Sequence, residues 1–291
     1  MRLAKYFIIV LLAGLTASCS LVKTSYNNAP ALTIFWLDDY FSFSQAQNLA
    51  LKPSLQTLHN WHRQTQLPSY ISLLQQAQTS LSSDNISADD VCDKLAAARL
   101  SIHTLQLESI PIIIEMAPLL SDKQLVRFQQ KLDKRSEKWK ADWWQESKQE
   151  QLEVRLEKTE DLAQKVYGDL SETQLILLKQ RLAHATINPE ISHKEIQRRN
   201  EDAFTILSTL QKPTLQKQPL SEEEKSQMVK AGFDRMQKSP DQAYQTYADE
   251  LTKHTCETIA NLHSTTNDEQ KLHAKNWLQD YIVQLTALQI K

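Results

Sequence analysis

The chain has 291 residues, and its 33 lysines and arginines against 35 acids leave a formal charge of −2, which provides no electrostatic footprint for nucleic acid. Glycine occurs only three times while Leu, Gln, Lys, Glu and Ala abound, the composition of an all-helical protein. So few glycines also exclude a phosphate-cradling loop, a dinucleotide-binding turn and a nucleophile elbow, each of which needs glycines in close spacing.

The first predicted element is a signal peptide over residues 1–18. Arg2 and Lys5 precede an apolar run from Tyr6 to Leu15, and small residues follow at Ala17 and Ser18. The run is about half the ~20 residues that a bilayer-spanning helix needs. "LTASC" at Leu15–Cys19 resembles the bacterial lipobox, with Thr16 where that pattern usually carries Leu. The resemblance implies cleavage before Cys19 and lipidation of its thiol, with a diacylglycerol and an amide-linked chain. Two or more chains hold a protein stably on a membrane, whereas one holds it marginally. The alternative is an ordinary secretory signal with a chance cysteine. Ser20, in place of Asp, points by the sorting rule of many Gram-negative lipoproteins to the outer membrane, with the body facing the periplasm. Without residues 1–18 the charge becomes about −4, because Arg2 and Lys5 are lost.

Residues 19–30 read as a lipidated tether and 31–291 as a single helical domain, a bundle of about eight to ten helices. Helices are expected at 31–41, at 44–65 with an interruption at Pro53, from Pro68 to about 82, and at 88–109, where Pro111 bends or ends the run. The longest is expected over 122–166, with Leu125, Phe128, Leu132, Trp139 and Trp143 on one stripe and Gly168 as its stop. Later helices are expected at 172–185, 192–211, 222–237, 241–263 and 267–289, and no alternating strand pattern is present. Many starts carry the reciprocal capping pattern, Ser or Thr followed three positions later by Gln or Glu. It occurs at Ser44, Ser192 and Thr266, and at Ser121, Ser171 and Ser221, three starts spaced 50 residues apart. That spacing reads as recurrent capping in preference to a true repeat.

Cys92 and Cys256 form an even pair in an oxidising compartment and read as one disulfide, two buried free thiols being the alternative. In the chain-entropy model a loop of that length contributes up to ~5 kcal/mol. His59 and His62 share one helical face, and with Asp38 or Asp39 they form a weak metal motif that a packed histidine pair explains better, so no metal and no cofactor are expected. Asp38 and Asp39, being adjacent, diverge by ~100° on a helix and do not form a facing acid–base pair. Arg63 is expected to stack on Trp61 or to pair with Asp38. Trp139 and Trp143 are assigned to the core with Trp144 out of register. Arg198 and Arg199, near Glu195, Glu201 and Asp202, read as a solvated ion-pair face. Nothing resembles a catalytic constellation, so an enzyme is the least favoured reading.

The lipobox, "YNNAP" with "FWLDDYF", "WHRQTQLPSY", "VC" at 91–92, the "LSETQ" helix start and the "CETIANLHSTTNDEQKLHAKNWLQDY" stretch together resemble a family of proteobacterial lipoproteins of unknown function. The resemblance spans nearly the whole mature chain and implies that Cys92 pairs with Cys256. It carries no activity, so function rests on the residues. The favoured reading is a lipid-anchored envelope protein with a binding or scaffolding role. Its partners would be the membrane, through the lipid, and an envelope protein, with no nucleic acid. The candidate partner surface is Trp36, Asp38, Asp39, Trp61, His62 and Arg63. The alternative is a periplasmic chaperone or envelope-stress sensor, because "L-S-x-x-Q" at Leu120 and Leu170 is similar to the "L-T-x-x-Q" signature of small helical envelope-stress chaperones. A chaperone cradle needs a broad concave apolar surface, and a scaffold needs one discrete patch.

Overall fold

The computed structural model describes residues 22–144, 147–212 and 219–290; the expected signal peptide and lipid-bearing Cys19 lie outside the described residues. The elements are α1 (Ala29–Phe41), α2 (Gln45–Trp61), a π turn (His62–Gln66), α3 (Leu67–Leu81), α4 (Ala88–Glu108), α5 (Ile110–Met116) with a 3₁₀ turn, and α6 (Asp122–Trp143). There follow α7 (Lys148–Tyr167), α8 (Glu172–His184), α9 (Pro189–Gln211), α10 (Glu222–Gln237), α11 (Gln242–His263) and α12 (Asp268–Gln289). The fold is all-α, with no strand among the described residues. No helix among them is long and apolar enough to cross a membrane.

Capping explains where the helices begin. Ser44, Ser121, Ser171 and Ser221 each accept a hydrogen bond from the backbone N–H three residues on, and Gln47, Gln124, Gln174 and Glu224 each return the bond to the cap. The capping glutamines also hold helix starts to one another. Gln47 Nε2 donates to Gln124 Oε1 at 3.0 Å and Gln124 Nε2 to Gln47 Oε1 at 2.8 Å, which joins the first turns of α2 and α6. Gln174 and Gln270 exchange the same pair of bonds at 2.9 Å each, joining α8 to α12. Both glutamines of this second pair are buried, so each amide is fully used where water cannot replace it.

Four expected boundaries change. The helix expected over 122–166 is two helices, because Ser147 and Glu150 form another capping box and start α7 afresh. Pro53 does not interrupt α2: it lies on an exposed face, where the carbonyl one turn back can turn to water. The cap of α9 is Asn188, followed by Pro189, and Ser192 instead donates to the Asn188 carbonyl. The cap of α12 is Asn267 with Gln270, while Thr266 bonds the His263 carbonyl. Gly168 does end α7, at φ +77°, a conformation that a side chain would strain. Ser109 separates α4 from α5, with Pro111 in the first turn of α5.

Helix α12 lies along α3, α9 along α6, and α11 along α4. The Cys92–Cys256 disulfide joins α4 to α11 across 164 residues of sequence, so the expected pairing is present. One core cluster gathers Ala163, Tyr167, Leu178, Leu262 and Ala274 from α7, α8, α11 and α12. Burial pushes the Tyr167 hydroxyl up to about 12, and it hydrogen-bonds the fully buried His263 ring at 3.1 Å. Three further clusters centre on Phe41 with Leu125, on Ile110 with Leu210, and on Leu51 with Met116. Leu37 and Phe43 belong to two of these and Leu207 to another two, so the three clusters meet around a shared volume.

Candidate functional site

The stretch "YNNAPALTIFWLDDYF" divides between two surroundings. Tyr26, which precedes α1, docks on the end of α2. Its hydroxyl lies 2.9 Å from His62 Nδ1, its ring is 4.7 Å from that of His59, and the Arg63 guanidinium sits 5.0 Å above it. Arg63 is buried and reaches Asn27 Oδ1 at 2.7 Å and the Leu288 carbonyl at 3.1 Å, so it ties the start of the body to its last helix. Arg63 therefore stacks on Tyr26 instead of Trp61 and pairs with Asn27 instead of Asp38. The half-buried Trp61 lies on the adjoining turn. Burial, together with the nearby Arg63 charge for His59 and the His59 ring for His62, holds both imidazoles below their ordinary value.

Asp38 and Asp39 point elsewhere. Asp38 Oδ1 accepts from the Phe43 N–H at 2.8 Å and closes the turn after α1, where Ser42 takes a left-handed φ of 50°. Asp39 pairs with Lys131 on α6, and its carbonyl accepts from Arg127 Nε at 3.2 Å. Neither reaches the two histidines, and no group of three His, Cys, Asp or Glu placed to hold a metal occurs among the described residues. Of the six residues expected to share one surface, Asp39 thus turns to α6 and Arg63 to α12, while Asp38 is spent within its own turn. Helix α1 also exposes Leu32, Phe35 and Trp36, at 51%, 80% and 55%, in one row at helical spacing. That row is a discrete apolar patch.

The tryptophans of α6 are arranged differently from expectation. Trp143 is exposed, with Lys158 Nζ 3.6 Å over its ring, while Trp144 turns back at the end of the helix to meet His193 edge-on at 5.8 Å. Trp139 stacks on the same imidazole at 6.0 Å, and Ser136 Oγ lies 3.0 Å from its Nε2. Trp139 and Trp144, not Trp139 and Trp143, therefore share His193 as a partner, because the chain leaves the helix at Trp144.

Sequence reasoning missed an apolar cavity. Where the three core clusters meet, Leu37 and Phe41 of α1, Leu51 of α2, Met116 of α5, Ile206 of α9 and Phe233 of α10 enclose a half-open cavity of about 230 Å³. Such a volume exceeds the ~150 Å³ apolar cavity that stays dry and takes up benzene. Its polar wall is Arg199 and Asp202. They belong to a lattice centred on a buried carboxylate, where a solvated face was expected: Glu195 is 3% exposed and accepts from Arg198 at 2.8 Å, Arg199 at 2.7 Å and Ser239 at 2.8 Å, while the arginines stay partly exposed. Asp202 binds Arg235 and Arg198. The lattice escaped notice because acids and bases three and four apart read as exposed helix pairs, and their burial is set by α10 and Ser239. Gly232 of α10 faces Ile206, whose Cδ1 would lie 2.4 Å from an added Cβ, so a side chain there would push the end of Ile206 aside at the cavity wall.

Residues 39–222 match the model of a family described as "Family of unknown function (DUF6279)". The match leaves Tyr26 and the 256–281 stretch outside it, short of the near-complete coverage expected. No curated protein and no solved structure matches the chain.

Proposed function

The chain belongs to the DUF6279 family, and from that premise we propose that it is a lipid-anchored envelope protein whose helical body binds a small apolar ligand. In this reading Cys19 carries the lipid, the outer membrane holds the protein, and the body faces the periplasm. The observation that carries the binding role is the half-open cavity of about 230 Å³. Ligand sites are concave and mainly apolar with few polar groups, and this wall of Leu, Ile, Met and Phe beside one arginine and one aspartate fits that description. The discrete patch of Leu32, Phe35 and Trp36 supports one defined contact over the broad cradle of a chaperone. It lies close in sequence to the proposed anchor, where it would meet the membrane surface or an envelope protein.

Titration with an uncharged hydrocarbon probe, decan-1-ol, followed by calorimetry tests the binding role. Ala203 lines the cavity, and Ala203→Trp, by filling it, is expected to weaken uptake at least tenfold. Equal uptake by both forms would refute the assignment. For the anchor, a labelled fatty acid fed to cells should enter the native protein and not Cys19→Ala, and label retained by the variant would show that Cys19 does not carry the lipid.

A further inference from the structure

The cavity does not end at its apolar wall. Arg199 and Met236 line it and also line a second, polar hollow of about 350 Å³ between α4 and α11, so the two spaces adjoin across this pair. Arg99, Gln106, Tyr244 and Asp249 face the second hollow. Ile102 and Met236, at 59% and 37% exposure, form an apolar lip beside it.

Charge decides what such a pair of spaces accepts. The lattice around the buried Glu195 holds Arg198, Arg199 and Arg235 against Glu195 and Asp202, an excess of one positive charge. Arg99 and Asp249, across the hollow, cancel each other. Arg199 spends Nε on Glu195 at 2.7 Å and lies 5.6 Å from the Tyr244 ring, an arrangement that orients its guanidinium beside the junction. Its side chain is one-third exposed, at 33%. Gln106, on the same wall, has a buried Oε1 with no hydrogen-bond partner. A buried amide oxygen without a donor is unfavourable, and since a carboxylate can only accept, a water bridging it to Gln106 would supply the missing donor.

We propose that the two spaces form one site for a single-chain fatty acid, with the hydrocarbon in the cavity and the carboxylate at Arg199 where the cavity meets the polar hollow. The assignment rests on the binding role argued above and adds the head group. Guanidinium and carboxylate match in geometry as well as charge. A single excess positive charge suits a monoanion. A phosphate monoester carries about −1.5 to −2 at neutral pH and would be undercompensated.

The test is calorimetric titration of the mature chain from residue 19, carrying Cys19→Ala and so free of signal peptide, lipid and detergent, with decanoate, decyl phosphate and decan-1-ol. Decanoate should bind at least tenfold more tightly than decan-1-ol. Arg199→Gln should remove that preference while leaving decan-1-ol affinity within about twofold. Arg99→Gln, on the exposed rim and outside the lattice, is a second variant that leaves the fold intact and should reduce the preference two- to threefold. Tighter binding of decyl phosphate than decanoate would overturn the choice of carboxylate. Equal binding of decanoate and decan-1-ol, or a preference that survives Arg199→Gln, would overturn the head-group site while leaving the apolar cavity standing. Binding of none of the three would overturn both readings together.

Discussion

Replacing Glu195 by Gln puts the lattice to its sharpest test. Glu195 is 3% exposed and receives four donors, two from Arg198 and one each from Arg199 and Ser239. Burial alone would raise its carboxyl, but the bonds from Arg198, Arg199 and Ser239 outweigh burial and hold it below the usual carboxylate value. Breaking a buried ion pair by removing one partner costs about 3–5 kcal/mol, because the other charge is left uncompensated. Here Arg198 keeps Asp202 at 3.4 Å and Arg199 is one-third exposed, so the lower end applies, about 3 kcal/mol. At about 2–4 °C per kcal/mol, the midpoint should fall by roughly 6–12 °C at pH 7. The pH sign follows from the depressed value. The contribution is present above the unfolded carboxylate value of about 4.3 and is lost as pH falls through the folded value. Thermal melts followed by circular dichroism from pH 8 to pH 3 should therefore show the gap between the native chain and Glu195→Gln closing in acid. A gap under about 2 °C at pH 7, or one that stays constant into acid, would refute a structural role for the buried carboxylate.

Breaking the disulfide with Cys92→Ser and Cys256→Ser should lower stability by a few kcal/mol, against a ceiling of ~5 in the chain-entropy model, as read in urea unfolding; an unchanged midpoint would remove its clamp role between α4 and α11. His59 and His62 are held below their ordinary value, so the unfolded chain binds the extra protons and stability should drop as pH falls below about 6.5. Melts of His59→Gln with His62→Gln should lose part of that slope between pH 7 and pH 5, and an unchanged slope would point to other groups. For the paired capping glutamines, a double-mutant cycle of Gln174→Ala and Gln270→Ala should give a coupling of about 1 kcal/mol, and the partly exposed Gln47 and Gln124 pair should give less. No coupling in either pair would mean that each box acts alone.

Helix starts were legible because they are local chemistry. Ser44, Ser121, Ser171 and Ser221 each hold their bonding partner within the next three residues. Ser147 with Glu150 carried the same signal and was masked by a leucine stripe that continued across the break. At Asn188, the following proline was the better mark, since proline is at ease in a first helical turn. Apart from the disulfide, pairings across the fold were not legible. Arg63 meets Asn27 and Leu288, residues 36 and 225 positions away, and no spacing rule selects them over Asp38. The cavity was hidden for the same reason, since Leu37, Met116, Ile206 and Phe233 each look like an ordinary core residue on its own helix.

The cavity of about 230 Å³ bears on function through the residues that line it. The surrounding residues could close it with small changes: a larger side chain at Ala203 or Ala117 would occupy the space. Instead small residues, Gly232, Ala203 and Ala117, line it beside the arginines around Glu195. It is the arrangement expected if an occupant completes the packing, in which case a bound hydrocarbon chain should raise the melting point of the native chain and leave that of Ala203→Trp unchanged.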